Sequence, residues 1–207
     1  FSSELNIIKT SLFGQLSRQF LNEKLIFSMG LRTDQNNYSE SMNNPLEQIS
    51  PRLSISYSIN KKSSINFNSG RYFQLPAYTV MGYRNNNNEL VNKENNLKYI
   101  NNNHLVLGLE HNPGTYSKIT IEGFYKKYNN YPFLLRDSIC LANLGGDFGV
   151  IGNEPVNSSS EGRTYGIEFL AQKKLNKRFY GILAYTWVSS EFQDKNDEFR
   201  PSSWDNQ

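Results

Sequence analysis

The stretch from Glu161 to Phe192, EGRTYGIEFLAQKKLNKRFYGILAYTWVSSEF, constrains the fold more than any other. Its first arm sets Tyr165, Ile167, Phe169 and Ala171 against Gly166, Glu168, Leu170 and Gln172. Its second sets Phe179, Gly181, Leu183, Tyr185 and Trp187 against Tyr180, Ile182, Ala184 and Thr186. Successive side chains of a strand point to opposite faces, so both arms predict strands. The polar Leu175-Asn176-Lys177 joins them as an antiparallel hairpin. Each arm runs about fifteen residues, where a globular strand has about five or six. Such length suits a membrane barrel, in which about 9–11 residues cross the hydrocarbon and the rest stand clear of it.

The remaining chain repeats the pattern. Lys9 to Phe20 and Lys24 to Tyr38 form a first hairpin around Leu21-Asn22-Glu23, and Ile49 to Ile59 and Ser63 to Gln74 a second around Asn60-Lys61-Lys62. In the second, Leu53, Ile55, Tyr57 and Ile59 alternate with Arg52, Ser54, Ser56 and Ser58. His104 to His111 and Lys118 to Tyr128 form a third hairpin around Asn112-Pro113-Gly114-Thr115, where Pro-Gly supplies the turn. Long connections at Ser39 to Gln48, Leu75 to Asn103 and Pro132 to Ser160 alternate with the short turns. Outer-membrane barrels show that alternation, with short periplasmic turns and long external loops. The expectation is an all-β, antiparallel up-and-down transmembrane barrel portion, about eight long strands forming an open curved sheet in which the first and last strands do not pair.

Composition is compatible with this reading. A hydrophobic content of 37% and a mean hydropathy of −0.62 resemble a soluble protein, but alternating strands average out their hydropathy. No run approaches the roughly 18 apolar residues of a membrane helix. The 13 Tyr and 13 Phe exceed what a soluble domain of this polarity needs, and barrels gather such residues in interfacial girdles. A net charge of +3 without a basic cluster argues against nucleic acid as a partner. The single cysteine, Cys140, cannot close an internal disulfide and reads as a small loop side chain.

Charge placement sets the register. A cation at the lipid-facing midplane costs about 2–4 kcal/mol, so the apolar rows face lipid. Leu53, Ile55, Tyr57, Leu105, Leu107, Leu109, Phe169, Leu183 and Tyr185 then lie outside, with Arg52, Ser54, Ser56, Glu110, Glu122 and Glu168 inside. Lys127 and Lys173 fall on the outer row, at strand ends where they snorkel. Arg71 also falls on the outer row, which implies either that it reaches the headgroups or that a bulge lies near Gly70.

Several segments carry a family likeness. The run EG-x-x-YG-x-E-x-x-x-QKKL-x-x-x-FYG-x-x-x-YT, followed by Phe199-Arg200-Pro201 and Trp204-Asp205-Asn206, resembles TonB-dependent outer-membrane receptors. So do Ser50-Pro51-Arg52-Leu53, Gly70 to Pro76, and Gly123-Phe124-Tyr125-Lys126-Lys127-Tyr128. The likeness is nearest to the branch whose members often carry a carboxypeptidase-regulatory-like domain ahead of the plug. It implies a 22-stranded barrel in the cell outer membrane, filled by a plug and energised through TonB. It further implies uptake of a ferric siderophore, an oligosaccharide or a similar ligand, with a surface lipoprotein as a possible partner. Residues 1–207 are expected to be part of one barrel domain cut at both ends, without the plug, because no signal peptide is visible at Phe1-Ser2-Ser3-Glu4 and Asp205-Asn206-Gln207 is polar and lacks a terminal aromatic. Lipid, the missing plug and the remaining strands would be its partners.

Chemistry-bearing clusters are sparse. His104 and His111 lie seven positions apart and point to opposite faces, so they do not converge on a metal. Glu110, Glu122 and Glu168 read as lumen carboxylates balanced by Lys and Arg, and no Ser, His and Asp set is apparent; no enzyme and no cofactor is expected. Gly145-Gly146-Asp147-Phe148-Gly149 lacks phosphate-loop spacing, and Asn157-Ser158-Ser159 fits an N-glycosylation pattern that is irrelevant in an exported bacterial-type chain. The connection Leu75 to Asn103 is rich in asparagine and reads as solvated and poorly ordered, contributing few buried contacts. Ligand contacts from the external loops are assigned to Tyr78, Tyr83, Arg84, Asn85, Asn87 and Arg136, whose rings and amides offer stacking and paired hydrogen bonds. Two other readings compete: a complete eight-stranded structural or adhesive barrel, and a soluble β-sandwich that binds glycans.

Overall fold

The computed structural model describes residues 3–145, 152–176 and 179–205. The alternating segments form β1 (Lys9–Phe20), β2 (Leu25–Asn36), β3 (Ser50–Asn60), β4 (Ser63–Gln74), β5 (Ile100–Gly114), β6 (Ser117–Leu134), the short β7 (Ile139–Cys140), β8 (Val156–Asn176), β9 (Phe179–Gln193) and β10 (Phe199–Pro201). Three four-residue helices, α1 (Glu40–Asn43), α2 (Tyr78–Met81) and α3 (Val91–Glu94), lie in the first two long connections. One antiparallel sheet joins the strands in the order β1-β2-β3-β4-β5-β6-β8-β9-β10, with β7 added to the end of β6. Among the described residues β1 and β9 do not pair, so the sheet is open and no small barrel closes. No described helix is long and apolar enough to cross a membrane.

Cross-strand register settles the two faces, because paired residues share one. Phe27 pairs Ile55, Ile55 pairs Phe67, Phe67 pairs Leu107, Leu109 pairs Ile121, Ile121 pairs Phe169 and Phe169 pairs Tyr185. All nine residues expected on the outer face therefore lie together. Arg52, Ser54, Ser56, Glu110, Glu122 and Glu168 lie on the other face, and His104 and His111 fall on opposite faces. The apolar row is not buried: Leu107 is 54% exposed. A sandwich would bury that row against a second sheet, and only one sheet is present among the described residues.

The strands are also tilted. The pairs that start at Gln15 run through Gly30, Arg52, Gly70, His104, Lys126 and Thr164 to Ser190. The lower end of β1, Phe20, lies five positions from this row, and the lower end of β9, Phe179, lies eleven from it. The short-turn end thus drifts by close to one residue per strand. With about 3.3 Å per residue and about 4.8 Å between strands, the tilt is roughly 30–35°, near that of transmembrane barrels.

Several expectations need correction. β5 starts at Ile100, so Asn101 to Asn103 belong to a strand. β6 runs to Leu134 and β8 starts at Val156, which takes both ends of the third connection, including Asn157-Ser158-Ser159, into the sheet. Lys127 is consequently inside β6, not at its end, where its Nζ pairs with Glu161 at 3.0 Å. Gly70 carries no bulge, since β4 pairs with β5 without interruption from Ser63 to Gln74. Cys140 is buried in β7. The expected turn at Lys177, most of the run from Gly145 to Gly149, and Asn206 lie outside the described residues.

The largest correction concerns the core. The sheet is one layer and has none of its own. The principal core instead joins the long connections beyond its upper end: Tyr38, Met42, Val80, Met81, Leu97 and Tyr99 pack with Leu134 and Val156. The asparagine-rich connection is thus a packed cap.

Candidate ligand-binding face

Polar groups tie this cap together. The Ser39 hydroxyl accepts from Met42 N at the start of α1 and donates to Leu97 O at 2.7 Å. Asn36 Nδ2 donates to the Tyr99 hydroxyl at 2.8 Å, and the Tyr38 hydroxyl donates to Met81 O at 2.6 Å. Burial raises the pKa of both Tyr38 and Tyr99, the Asn36 bond opposing it at Tyr99, so both phenols stay neutral. Asn92 is fully buried at the centre. Its Nδ2 donates to Val80 O at 2.7 Å and Glu154 O at 3.0 Å, and its Oδ1 accepts from Val156 N at 2.7 Å. One side chain therefore joins the second and third connections.

Beneath the cap, a cleft of about 720 Å³ opens between the upper ends of β1–β4 and the segment Leu75 to Tyr78. Lys9, Arg32, Arg52, Tyr72, Tyr78 and Tyr99 are among its lining residues. Lys9 Nζ donates to the Tyr78 hydroxyl at 2.8 Å. Arg32 holds Asp34 through two bonds of 2.8 and 2.6 Å. The Arg52 guanidinium sits 4.5 Å from the Tyr72 ring centroid, with Gly30 and Gly70 as its cross-strand partners. Side chains that would crowd Arg52 are therefore missing on both sides. Lys9, Arg32 and Arg52 face the single carboxylate of Asp34, so the cleft is cationic and rimmed by aromatic rings.

The six residues assigned to ligand from sequence are not brought to one place. Tyr78 lines the cleft and is 59% exposed. Arg84 is spent on the chain itself, donating to Ser3 Oγ, Glu4 O and Asn88 O. Asn85 closes its own turn, accepting from Asn87 N and Glu89 N and donating to Glu89 Oε2. Asn87 is exposed at that turn, and Tyr83 is half-buried beside it. Arg136 lies in the third connection, where its Nε is 3.0 Å from Glu154 Oε2. The Glu154 side chain is 1% exposed, and neither of its carboxylate oxygens has a hydrogen-bond partner among the described residues. Burial, then the neighbouring Asp137, raise its pKa against the opposing pull of Arg136. Lys9, Arg32, Arg52, Tyr72, Tyr99 and Asn92 were not assigned to a site from sequence. The polar row did mark Arg52 as inward, but only cross-strand pairing places it near Arg32 and Tyr72.

A single open sheet of long tilted strands, with an apolar band along one face, short turns at one end and a packed cap at the other, matches a fragment of an up-and-down β-barrel wall. The family described as TonB dependent receptor-like, beta-barrel matches residues 2–207, and the chain belongs to it. No curated protein matches. Among solved structures, the fold resembles the alcaligin outer-membrane receptor FauA from Bordetella pertussis at 16% identity and a TM-score of 0.57, covering 95% of this chain and 32% of that one. It also resembles the siderophore receptor PirA from Pseudomonas aeruginosa, at 16% identity and a TM-score of 0.62 over 90% of this chain and 36% of that one. A third likeness is to the copper transporter OprC, at 18% identity and a TM-score of 0.58 over 90% and 31%. At such identities the likeness concerns the fold. The chain spans about a third of the length of each of these structures.

Proposed function

We propose that this chain forms part of the barrel domain of a TonB-dependent transporter in the cell outer membrane, and that its cap and the cleft beneath it take up ligand from outside. The plug, the other strands and TonB are its partners in this reading, and the barrel wall performs no chemistry on the ligand. Family membership supports the transport class, and the cleft supports the ligand-facing role. The observation that carries the ligand class is the excess of Lys9, Arg32 and Arg52 over Asp34 beside Tyr72, Tyr78 and Tyr99. A guanidinium binds an acidic oxygen through charge-assisted hydrogen bonds, and aromatic rims add stacking. An acidic ferric chelate therefore fits better than a neutral oligosaccharide.

Whole-cell uptake by the full-length receptor tests this reading. Arg52→Gln should lower uptake of carboxylate-bearing ferric chelates about tenfold, the effect of one charge-assisted contact, and deletion of TonB should abolish it. Uptake of neutral oligosaccharides alone, unchanged by Arg52→Gln, would overturn the ligand class. Uptake that persists without TonB would overturn the transport class.

A further inference from the structure

Arg71 sits on the lipid-facing row, eight positions above the lower end of β4 at Ser63. At about 3.3 Å per residue along a strand tilted roughly 35°, that is about 22 Å above the short-turn end. The apolar band of such a barrel is about 25 Å tall, so Arg71 stands at its upper margin, where external-leaflet headgroups begin. Its Nε donates to Asn103 Oδ1 at 3.1 Å, and among the described residues it has no ion pair. Nearby outer cations differ in this respect: Lys127 pairs with Glu161 at 3.0 Å and Arg163 with Glu191 at 2.7 Å.

A groove of about 880 Å³ runs across the apolar face to this guanidinium. Gly14, Pro51 and Ser69 keep it shallow, Leu31 and Leu53 line it, and Arg71 with Asn103 closes one end. A second recess of about 440 Å³ adjoins it at Gly14 and Leu31, under Pro45, Leu46 and Ile49 of the first long connection. Leu46 is 75% exposed there, an apolar side chain facing outward beside the lipid surface. Small floor residues, apolar sides and one terminal cation form a receptacle for an acyl chain below a negative headgroup.

We infer that this groove binds a phosphate-bearing lipid of the outer leaflet, with Arg71 and Asn103 holding the phosphate and the row from Gly14 to Ser69 seating an acyl chain. The planar guanidinium forks a phosphate through two parallel hydrogen bonds, and low dielectric at the hydrocarbon margin strengthens the pair. The inference rests on the outer-membrane reading above.

The test uses the full-length receptor in phosphatidylcholine nanodiscs with hexa-acyl lipid A, and native mass spectrometry counts lipid A retained per receptor. Wild type should retain it, and Arg71→Gln should lower retention about tenfold. Gly14→Phe should lower it similarly by filling the groove; a Cβ at Gly14 meets no atom within 4 Å, so the strand tolerates the ring. Heat-modifiable gel mobility would confirm that both variants assemble. Lys127→Gln should leave retention unchanged, since Glu161 already neutralises Lys127. Wild-type retention by Arg71→Gln would overturn the site, as would an equal loss in Lys127→Gln or equal retention of dephosphorylated lipid A. Failure of the receptor to enter nanodiscs at all would instead overturn the outer-membrane reading.

Discussion

Replacing Asn92 with alanine removes three hydrogen bonds from the middle of the cap and leaves Val80 O, Glu154 O and Val156 N without that partner. Each buried polar group left unsatisfied costs about 1–3 kcal/mol. Water entering the space of the lost amide recovers part of this, so a net local cost of about 3 kcal/mol is expected. The cost falls on opening of the cap and not on unfolding of the sheet, because sub-global regions open with their own free energies. Hydrogen exchange by mass spectrometry on the full-length protein in detergent reads this directly. At about 1.4 kcal/mol per tenfold, Val156 N–H should lose protection by about a hundredfold, while amides of the β6–β8 ladder, such as that of Ile121, keep theirs. Asn92→Asp keeps an oxygen acceptor but turns a buried carboxylate oxygen toward two carbonyls, and should lose at least as much protection as alanine. Protection at Val156 within about threefold of wild type would refute the reasoning, because that is under 1 kcal/mol. Equal loss throughout the sheet would show that cap and wall open together. Deleting Asn85 to Asn96 would remove Asn92 and open the cap, so lost uptake in such a variant would not identify a ligand contact.

Three further outcomes are expected. Because the folded-state pKa of Glu154 is raised, folding binds a proton there; its stabilising effect is complete below the ordinary glutamate range and is lost as pH rises through the folded pKa. Cap protection should therefore fall with rising pH across that window in wild type and stay flat in Glu154→Gln, as read by hydrogen exchange; an unchanged slope would remove Glu154 as the cause. A Cβ at Gly166 would lie 2.4 Å from Trp187 O, a backbone atom that cannot swing aside, so Gly166→Ala should destabilise by about 1–3 kcal/mol, whereas Gly123→Ala, which meets nothing within 4 Å, should fall within about 0.5 kcal/mol of wild type in urea titration. Leu109→Arg places a cation near mid-height on the lipid face and should cost about 2–4 kcal/mol, seen as loss of the heat-modifiable assembled species on gels, while Ser54→Arg on the opposite face should assemble.

Strand identity and facing were legible in the amino-acid sequence because alternation is local. Side chains of period two separate lipid from lumen in each segment, whatever the neighbouring strand is. Leu53 to Ile59 and Tyr165 to Gln172 show their faces unaided, and the alternation of short turns with long connections orders the sheet. What lies beyond the apolar band obeys no such period. Asn101 to Asn103 extend β5 although their composition reads as loop, because pairing to β4 and β6 satisfies their backbone groups, and Asn157 joins β8 opposite Phe133 of β6. Asn92 is polar in the sequence and fully buried in the fold, since its amide finds partners 12, 62 and 64 positions away. The cleft has the same origin: Lys9, Arg32, Arg52 and Tyr72 come from four different strands, and only tilt and register bring them under Tyr78 and Tyr99. Local periodicity therefore determines the wall and its lipid-facing side, while long-range hydrogen bonding and the packing of distant connections decide the cap and the cationic cleft beneath it.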